Sequence, residues 1–338
     1  MKSIRVKSIF GIDIFILLSI AILFYFWAGS GFYEKDKYYQ LTSNLTANKI
    51  HSDTLKICSF NVGYFSGMTN NKSVEKSEEL YRGNLLKFID FFSAESVDIF
   101  AFQEIDFGAS RSYEVDQLKV LSDSLLMPSI ASAVNWDKSY VPFPYWPIKY
   151  QFGKMLSGQA ILSKMQIVDQ EIEVLSKPIN APFYYNKFYL DRLVQTAYFP
   201  LNDEDTLALM NVHLEAFDQE TRLLQTKRVA ELFQQLRKTY IVILLGDFNS
   251  GPPFGSTTDV STLRAIFEID NIGSVVNEKA YENDPSKYYT FDSHKPEIRL
   301  DYIFYDATKI TMVDGGVFSE IGEVSDHLPV WMSFTLLN

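Results

Sequence analysis

Residues 240–249 read YIVILLGDFN, an apolar run closed by a glycine, with no charge before Asp247. A short run so rich in branched apolar residues predicts a strand covered on both faces, and the polar pair Asp247 and Asn249 marks its end. Seven further stretches read as strands: 55–61 (LKICSFN), 97–104 (VDIFAFQE), 158–163 (GQAILS), 192–199 (RLVQTAYF), 206–213 (TLALMNVH), 299–305 (RLDYIFY) and 328–337 (LPVWMSFTLL). Three intervening stretches carry apolar residues at helical spacing. These are 78–95 (Leu85, Ile89, Phe92), 114–126 (Val115, Leu118, Leu121, Leu125) and 219–237 (Leu223, Thr226, Ala230, Phe233). The pattern predicts a layered α/β fold with helices outside the sheets.

The polar residues at the strand ends come next. Asn61 ends the first stretch, Glu104 ends the second, Asp247 and Asn249 follow YIVILLG, Asp301 sits in RLDYIF, and Asp326 and His327 precede the last strand. Strands of a packed sheet end together, so these side chains are expected to converge. Several carboxylates with amides and a histidine are costly to gather without a cation, and hard oxygen donors favour Mg²⁺, Mn²⁺ or Ca²⁺ over zinc. Each motif alone has an ordinary reading: GDFN is turn chemistry, Asn61 suits an Asx turn, and Asp326 can cap a turn. Their company is what carries the chemistry.

The ordered set SFN, QE, GDFN, RLDYIF and SDH, with GQAILSK at 158–164 and TFDSHKPEIRLDYIF at 290–304, resembles the endonuclease/exonuclease/phosphatase superfamily. That superfamily includes deoxyribonuclease I-like nucleases, abasic-site endonucleases, inositol-polyphosphate 5-phosphatases and neutral sphingomyelinases. The resemblance implies a four-layer sandwich of two mixed β-sheets face to face between helices. It implies that Glu104 is the principal metal ligand, with Asn61 beside it and Asp326 in the metal or phosphate shell. His327 would activate or orient the attacking water, held by Asp301. Asp247 and Asn249 would orient water or bind phosphate and leaving group. His213 occupies the place of a second histidine that stabilises the phosphoryl oxyanion or helps protonate the leaving group; a satisfied buried histidine is its other reading. His51 and His294 are read as surface residues.

Composition bounds the rest. The chain has 338 residues, 47% of them hydrophobic and 22% charged, which excludes wholesale disorder. A net charge of −11 argues against gripping polyanions through bulk electrostatics. A single cysteine, Cys58, excludes an internal disulfide and a thiolate metal cage, and reads as a small buried hydrophobe.

At the N-terminus a short basic tail, 1–13, precedes residues 14–33, IFILLSIAILFYFWAGSGFY, which carry no charge. As a helix this run matches a hydrocarbon core at about 1.5 Å per residue, so a transmembrane anchor is expected. The rival is a signal peptide cleaved near Ala28-Gly29-Ser30-Gly31, which would leave a secreted protein. Either way the domain at 54–338 is expected outside the cytoplasm, after a polar tether at 34–53.

Two stretches are dense in aromatics: 136–152 (WDKSYVPFPYWPIKYQF) and 183–189 (FYYNKFY). They are expected either to rim a site for lipid or a bulky substrate, or to pack as loops over the sandwich edge. An exported, acidic, membrane-tethered domain suits a phospholipid or small phosphoester. A nuclease acting on DNA or RNA is the alternative, for which Arg82, Arg111, Lys154, Arg192 and Arg299 would have to gather along the cleft. A catalytically silent binding protein on the same fold is the third reading, disfavoured because every mapped catalytic position is filled. No protein partner is expected.

Overall fold

The computed structural model describes residues 2–43, 54–202, 204–254 and 261–337, with side chains of the first helix from residue 13 onward. In chain order the elements are α1 (Lys2–Ala28), β1 (Tyr39–Thr42), β2 (Leu55–Asn61), α2 (Glu78–Ala94), β3 (Ile99–Asp106), α3 (Gln117–Leu125) and β4 (Ser129–Val141). There follow β5 (Gly153–Ser163), β6 (Asp169–Val174), α4 (Phe183–Phe188), β7 (Leu193–Pro200), β8 (Thr206–His213), α5 (Gln219–Leu236) and β9 (Ile241–Asp247). The chain ends with α6 (Arg264–Phe267), β10 (Ile272–Ser274), α7 (Glu278–Asn283), β11 (Asp301–Asp306), β12 (Ile310–Val317) and β13 (Val330–Leu336).

Among the described residues the strands form two mixed sheets, ordered β1-β4-β5-β3-β2-β13-β12 and β10-β11-β9-β8-β7-β6. Each contains a parallel pair, β2 with β3 and β8 with β9. Parallel neighbours need a crossover, supplied by α2 in the first sheet and α5 in the second. Side chains of Ser77, Asp116 and Asp218 accept backbone N–H bonds at the starts of α2, α3 and α5, satisfying donors that a helix leaves free.

Alternation along the central strands sets the layers. On β2, Leu55 and Ile57 face the second sheet, while Cys58 and Phe60 pack under Phe88 and Phe92 of α2. On β9, Ile241, Ile243 and Leu245 face the first sheet, while Val242 and Leu244 pack under Val229 and Phe233 of α5. Both faces are dry, which is why these strands read as continuous apolar runs.

A buried amide network crosses the inter-sheet layer towards the end where the site lies. Gln103 donates to Asn211 Oδ1 at 2.7 Å, and Asn211 donates to the Phe102 carbonyl at 3.1 Å and to Gln195 Oε1 at 3.2 Å. Gln159 donates to the Asn211 carbonyl at 3.0 Å, and Gln195 to that of Ala131 at 3.1 Å. These bonds run from β3, β5 and β4 to β7 and β8, so they pin one sheet on the other.

The N-terminal region differs from expectation. The helix ends at Ala28, before the small residues Gly29, Ser30 and Gly31, rather than running to 33. Among the described residues no helix is long and apolar enough to cross a membrane, so the expected transmembrane helix has no support from the structure. The apolar side chains of α1 are nonetheless in the open, Phe15 at 71% and Leu23 at 70% exposure.

The stretch expected as a tether is in part docked: Tyr39–Thr42 pair antiparallel with β4 as β1. The Asp137 carboxylate fixes the approach, accepting the N–H groups of Phe32 (3.0 Å) and Tyr33 (3.1 Å) and the Tyr38 hydroxyl (2.7 Å). Residues 44–53, with His51, lie outside the described residues.

Replacing Asn211 by leucine leaves the Gln103 amide, the Phe102 carbonyl and Gln195 Oε1 short of a partner. It is expected to cost about 3 kcal/mol, read as a fall in the urea midpoint; a midpoint within error of the parent would show that the network does not hold the sheets.

Candidate active site

Three neighbouring strands of the second sheet place one row of side chains, because His213 on β8 is the register partner of Asp247 on β9, which in turn is the partner of Asp301 on β11. Gly246 is needed beside them: it has φ +140, and a Cβ there would strike the Val212 carbonyl oxygen. The first sheet brings Asn61 from the end of β2 and Glu104 from β3. At Glu104 the register of β3 against β5 breaks between Phe102 and Ile105, and the residue takes φ 53. An extra residue at such a break re-aims a side chain, here into the cleft. His327 arrives on the segment leading into β13.

These residues meet. His327 Nδ1 lies 2.8 Å from Asp301 Oδ2, and its Nε2 lies 3.7 Å from Asp247 Oδ2. His213 Nε2 lies 3.6 Å from the same Asp247 oxygen and 3.8 Å from Glu104 Oε1. Asn61 Nδ2 donates to Asp247 Oδ2 at 2.9 Å and reaches Glu104 Oε1 at 3.4 Å. Asn249, at φ 50, donates its backbone N–H to Asp247 Oδ1 at 2.9 Å and its amide to the Leu214 carbonyl at 3.0 Å. Asp326 sits across from Glu104, and His294 stands apart on the surface, paired with Glu323 at 2.7 Å.

One residue carried no signal in the sequence. Asn70 lies in irregular chain after β2, yet its Nδ2 bridges the two carboxylates, 3.1 Å from both oxygens of Asp326 and 3.4 Å from Glu104 Oε2.

The electrostatics separate the two histidines. Burial opposes the imidazolium of His327, but Asp301 and then Asp247 outweigh it and hold its pKa well above the ordinary value. For His213, burial, then Arg192 and His327, push the pKa well below it, so this ring is neutral near pH 7. Burial raises Asp247 to about 7, with Asp301 adding to the rise and His327 opposing it, and burial with Glu104 raises Asp326. His327 is thus placed to hold or move a proton, whereas His213 can offer a neutral N–H.

The donor set fits a hard cation. Glu104 and Asp326 face each other across Asn70, and the buried Asn70 Oδ1 has no hydrogen-bond partner. Asp247, Asp301 and His327 form the one histidine–carboxylate group among the described residues tight enough to hold an ion. Their closeness is already accounted for by the His327–Asp301 bond, so Glu104, Asp326 and Asn70 are the better holders. Asn61 spends its Oδ1 on the Gly63 N–H at 3.0 Å, so as they stand both Asn61 and Asn70 turn an amide nitrogen, not an oxygen, to the carboxylates, and each amide would have to turn to meet an ion.

Above this floor is a cleft of about 560 Å³, walled by both aromatic stretches, with Trp136, Phe143 and Tyr145 from one and Tyr184, Phe188 and Tyr189 from the other. Trp136 Nε1 donates to the Phe188 carbonyl at 2.8 Å and ties the walls together. Of the five cations that a nuclease would gather, Arg111 and Arg192 line the cleft, each beside an internal carboxylate, Asp106 at 2.8 Å and Glu215 at 3.8 Å. Arg82 pairs with Glu78, Lys154 with Glu114, and Arg299 is buried against the Tyr288 carbonyl.

A family model described as Endonuclease/Exonuclease/phosphatase family matches residues 58–327. No curated protein sequence matches the chain. Among solved structures it is similar to an endonuclease/exonuclease/phosphatase from Beutenbergia cavernae, with TM-score 0.61 and 19% identity over 84% of this chain and 72% of that one. It is also similar to a mannosyl-6-phosphatase from Bacteroides thetaiotaomicron (TM-score 0.54, 18% identity, 84% and 100% of the two chains). A third likeness is to zebrafish (D. rerio) TDP2 complexed with single-strand DNA product (TM-score 0.56, 15% identity, 84% and 100%). At these identities the likeness is one of fold.

Two outcomes are expected. In chelator-treated protein, Asp301→Asn removes the group that most raises His327, so the pKa of that ring, followed by NMR, should fall; an unchanged value would contradict the assignment. Glu104→Gly relieves a left-handed backbone and one crowded carboxylate, so the chelated protein should gain about 1 kcal/mol in thermal unfolding. A loss of stability there would show that Glu104 is not held under strain.

Proposed function

The chain belongs to the endonuclease/exonuclease/phosphatase family, whose members act on phosphoester bonds, and from this we propose that it is a divalent-metal-dependent phosphodiesterase working on a phospholipid or small phosphoester outside the cytoplasm. The observation that carries this reading is the His327–Asp301 pair set beside Glu104, Asp247 and His213 at the floor of an apolar cleft.

The residues divide the work. Asp301 accepts from His327 Nδ1, which fixes the ring and leaves Nε2 towards the cleft, where it orients an attacking water and takes its proton in the fraction of molecules whose Nε2 is free of one, a fraction that the raised pKa keeps small until a cation's charge lowers it. Asp247, held by Asn61 and by the Asn249 N–H, shares that proton load, since burial has already brought its pKa close to neutrality. His213, being neutral, donates an N–H to a phosphoryl oxygen and does not itself supply the leaving group with a proton. A hard dication, Mg²⁺ or else Mn²⁺ or Ca²⁺, held by Glu104 with Asp326 and the oxygens of turned Asn70 and Asn61 amides, would neutralise phosphate charge as it develops.

The substrate reading rests on the walls. Aromatic rings surround the floor, and the two guanidinium groups in the cleft face carboxylates of their own chain, which suits an apolar ester better than a polyanionic strand. Hydrolysis of DNA or RNA is the competing reading. Placement outside the cytoplasm rests on the uncharged run 14–33 behind a basic tail and on the exposed apolar face of α1, which we take to be set in a bilayer.

With Mg²⁺ the full chain is expected to turn over bis(p-nitrophenyl) phosphate and phospholipid vesicles. Glu104→Gln and His327→Ala, folded by circular dichroism, are each expected to reduce turnover at least ~100-fold, and so is EDTA. Undiminished turnover in either variant sinks the assignment, and nicking of plasmid with vesicles untouched moves it to the nuclease reading.

A further inference from the structure

The walls of the cleft continue outward into side chains poorly suited to water. Trp146 is 75% exposed, Ile148 61%, Ile179 86% and Phe183 77%. Scattered singly, such residues mean little, but these stand on the segments that wall the cleft, just beyond the residues that line it. The same segments meet the end of α1. The Tyr25 ring lies 5.7 Å from those of Phe183 and Phe188, and Tyr140 lies 5.8 Å from Phe24 and 6.3 Å from Trp27. At Phe183 and Tyr140 the exposed apolar face of α1 therefore meets the two segments that carry the lips of the cleft. The join is fixed, because Asp137 and the β1–β4 pairing hold residues 32–42 against the domain. Lys149 and Lys187 stand on these same lips in a chain that is acidic as a whole, which suits a headgroup layer.

We propose that the lips of the cleft sit in the interface of a lipid bilayer beside α1, so that the site opens towards lipid and takes an amphiphilic phosphoester with its phosphate at the floor and its apolar chain left in the bilayer. This rests on the phosphoesterase reading and narrows its substrate class. Such an ester enters sideways along the aromatic walls and never leaves the membrane, which spares the cost of drawing its chain through water, about 0.8 kcal/mol per methylene.

The first test needs no turnover. Cys58 is fully buried, so a cysteine introduced at the surface is the one accessible thiol for an environment-sensitive fluorophore. Full-length Trp146→Cys and Phe183→Cys, labelled and reconstituted in phosphatidylcholine/phosphatidylglycerol vesicles, are expected to shift to the blue and to be quenched by spin-labelled lipid. Val313→Cys on β12, at the sheet edge opposite β1, is expected to do neither. Lip labels that behave like Val313→Cys overturn the proposal, as does equal shielding without lipid, which would mean that a second copy covers the lips.

The second test combines Trp146→Ser, Ile148→Ser, Ile179→Ser and Phe183→Ser. Hydrolysis of vesicle phospholipid is expected to fall about tenfold, while turnover of soluble bis(p-nitrophenyl) phosphate stays within twofold. Equal losses on both, or no loss on vesicles, overturn the proposal. If the parent protein hydrolyses neither compound, the phosphoesterase reading has failed, and the fluorescence result still decides where the lips sit.

Discussion

The site exists because two sheets are held in one register at the end where their parallel strands stop. Apolar packing between Ile57, Ile99, Ile243 and Leu245 supplies the bulk of the cohesion, but dispersion and burial are tolerant of a small slide. Directional bonds are not. The amides of Gln103, Asn211, Gln159 and Gln195 are buried, and a shift of an ångström or two would leave several of them without partners in a dry layer. Gln103 directly precedes Glu104, and Asn211 lies two residues before His213. The network therefore sets how far the carboxylate of one sheet stands from the imidazole of the other.

What it holds together is not comfortable. Glu104 and Asn249 both take left-handed backbone, and Asp247 and Asp326 are half of a carboxylate cluster whose burial raises their pKa values. Left-handed backbone at a residue with a side chain costs of the order of 1 kcal/mol or more, and it persists where the surroundings overrule it. The surroundings here are the apolar clusters packed against the strands that carry them. Local instability at the floor is thus the counterpart of stability in the sandwich, and a bound cation would relieve the part that comes from charge.

The strands dry on both faces are legible in the sequence and the partly exposed ones are not, for one physical reason. β2 and β8 lie where LKICSFN and TLALMNVH were read, because strands dry on both faces leave an unbroken apolar signature. β4 (SIASAVNWDKSYV), β6 (DQEIEV) and β12 (ITMVDGGV) carry no such signature, since partly exposed strands mix polar and apolar residues over short spans. In the site, Asn61, Glu104, Asp247, Asp301 and His327 stood at strand ends or in sharp motifs, and the structure brings them together. Asn70 did not stand out, because an asparagine in irregular chain has neither period nor motif to mark it. Of the two readings for the aromatic stretches, the structure favours walls of the cleft over loops that merely cover an edge.

The docked segment after α1 has one more consequence. β4 is thirteen residues long, and among the described residues its outer side pairs with the four residues of β1 and the chain just before them. Val134 N–H is taken by the Tyr38 carbonyl and Ser139 N–H by that of Ser30. Cutting the protein at the start of its globular part would strip this cover and bare a long row of unpaired amide groups, the template on which chains stack into aggregates. A fragment made for work in free solution should accordingly begin near Gly29, keeping the strip of backbone that stops one molecule from zipping onto the next.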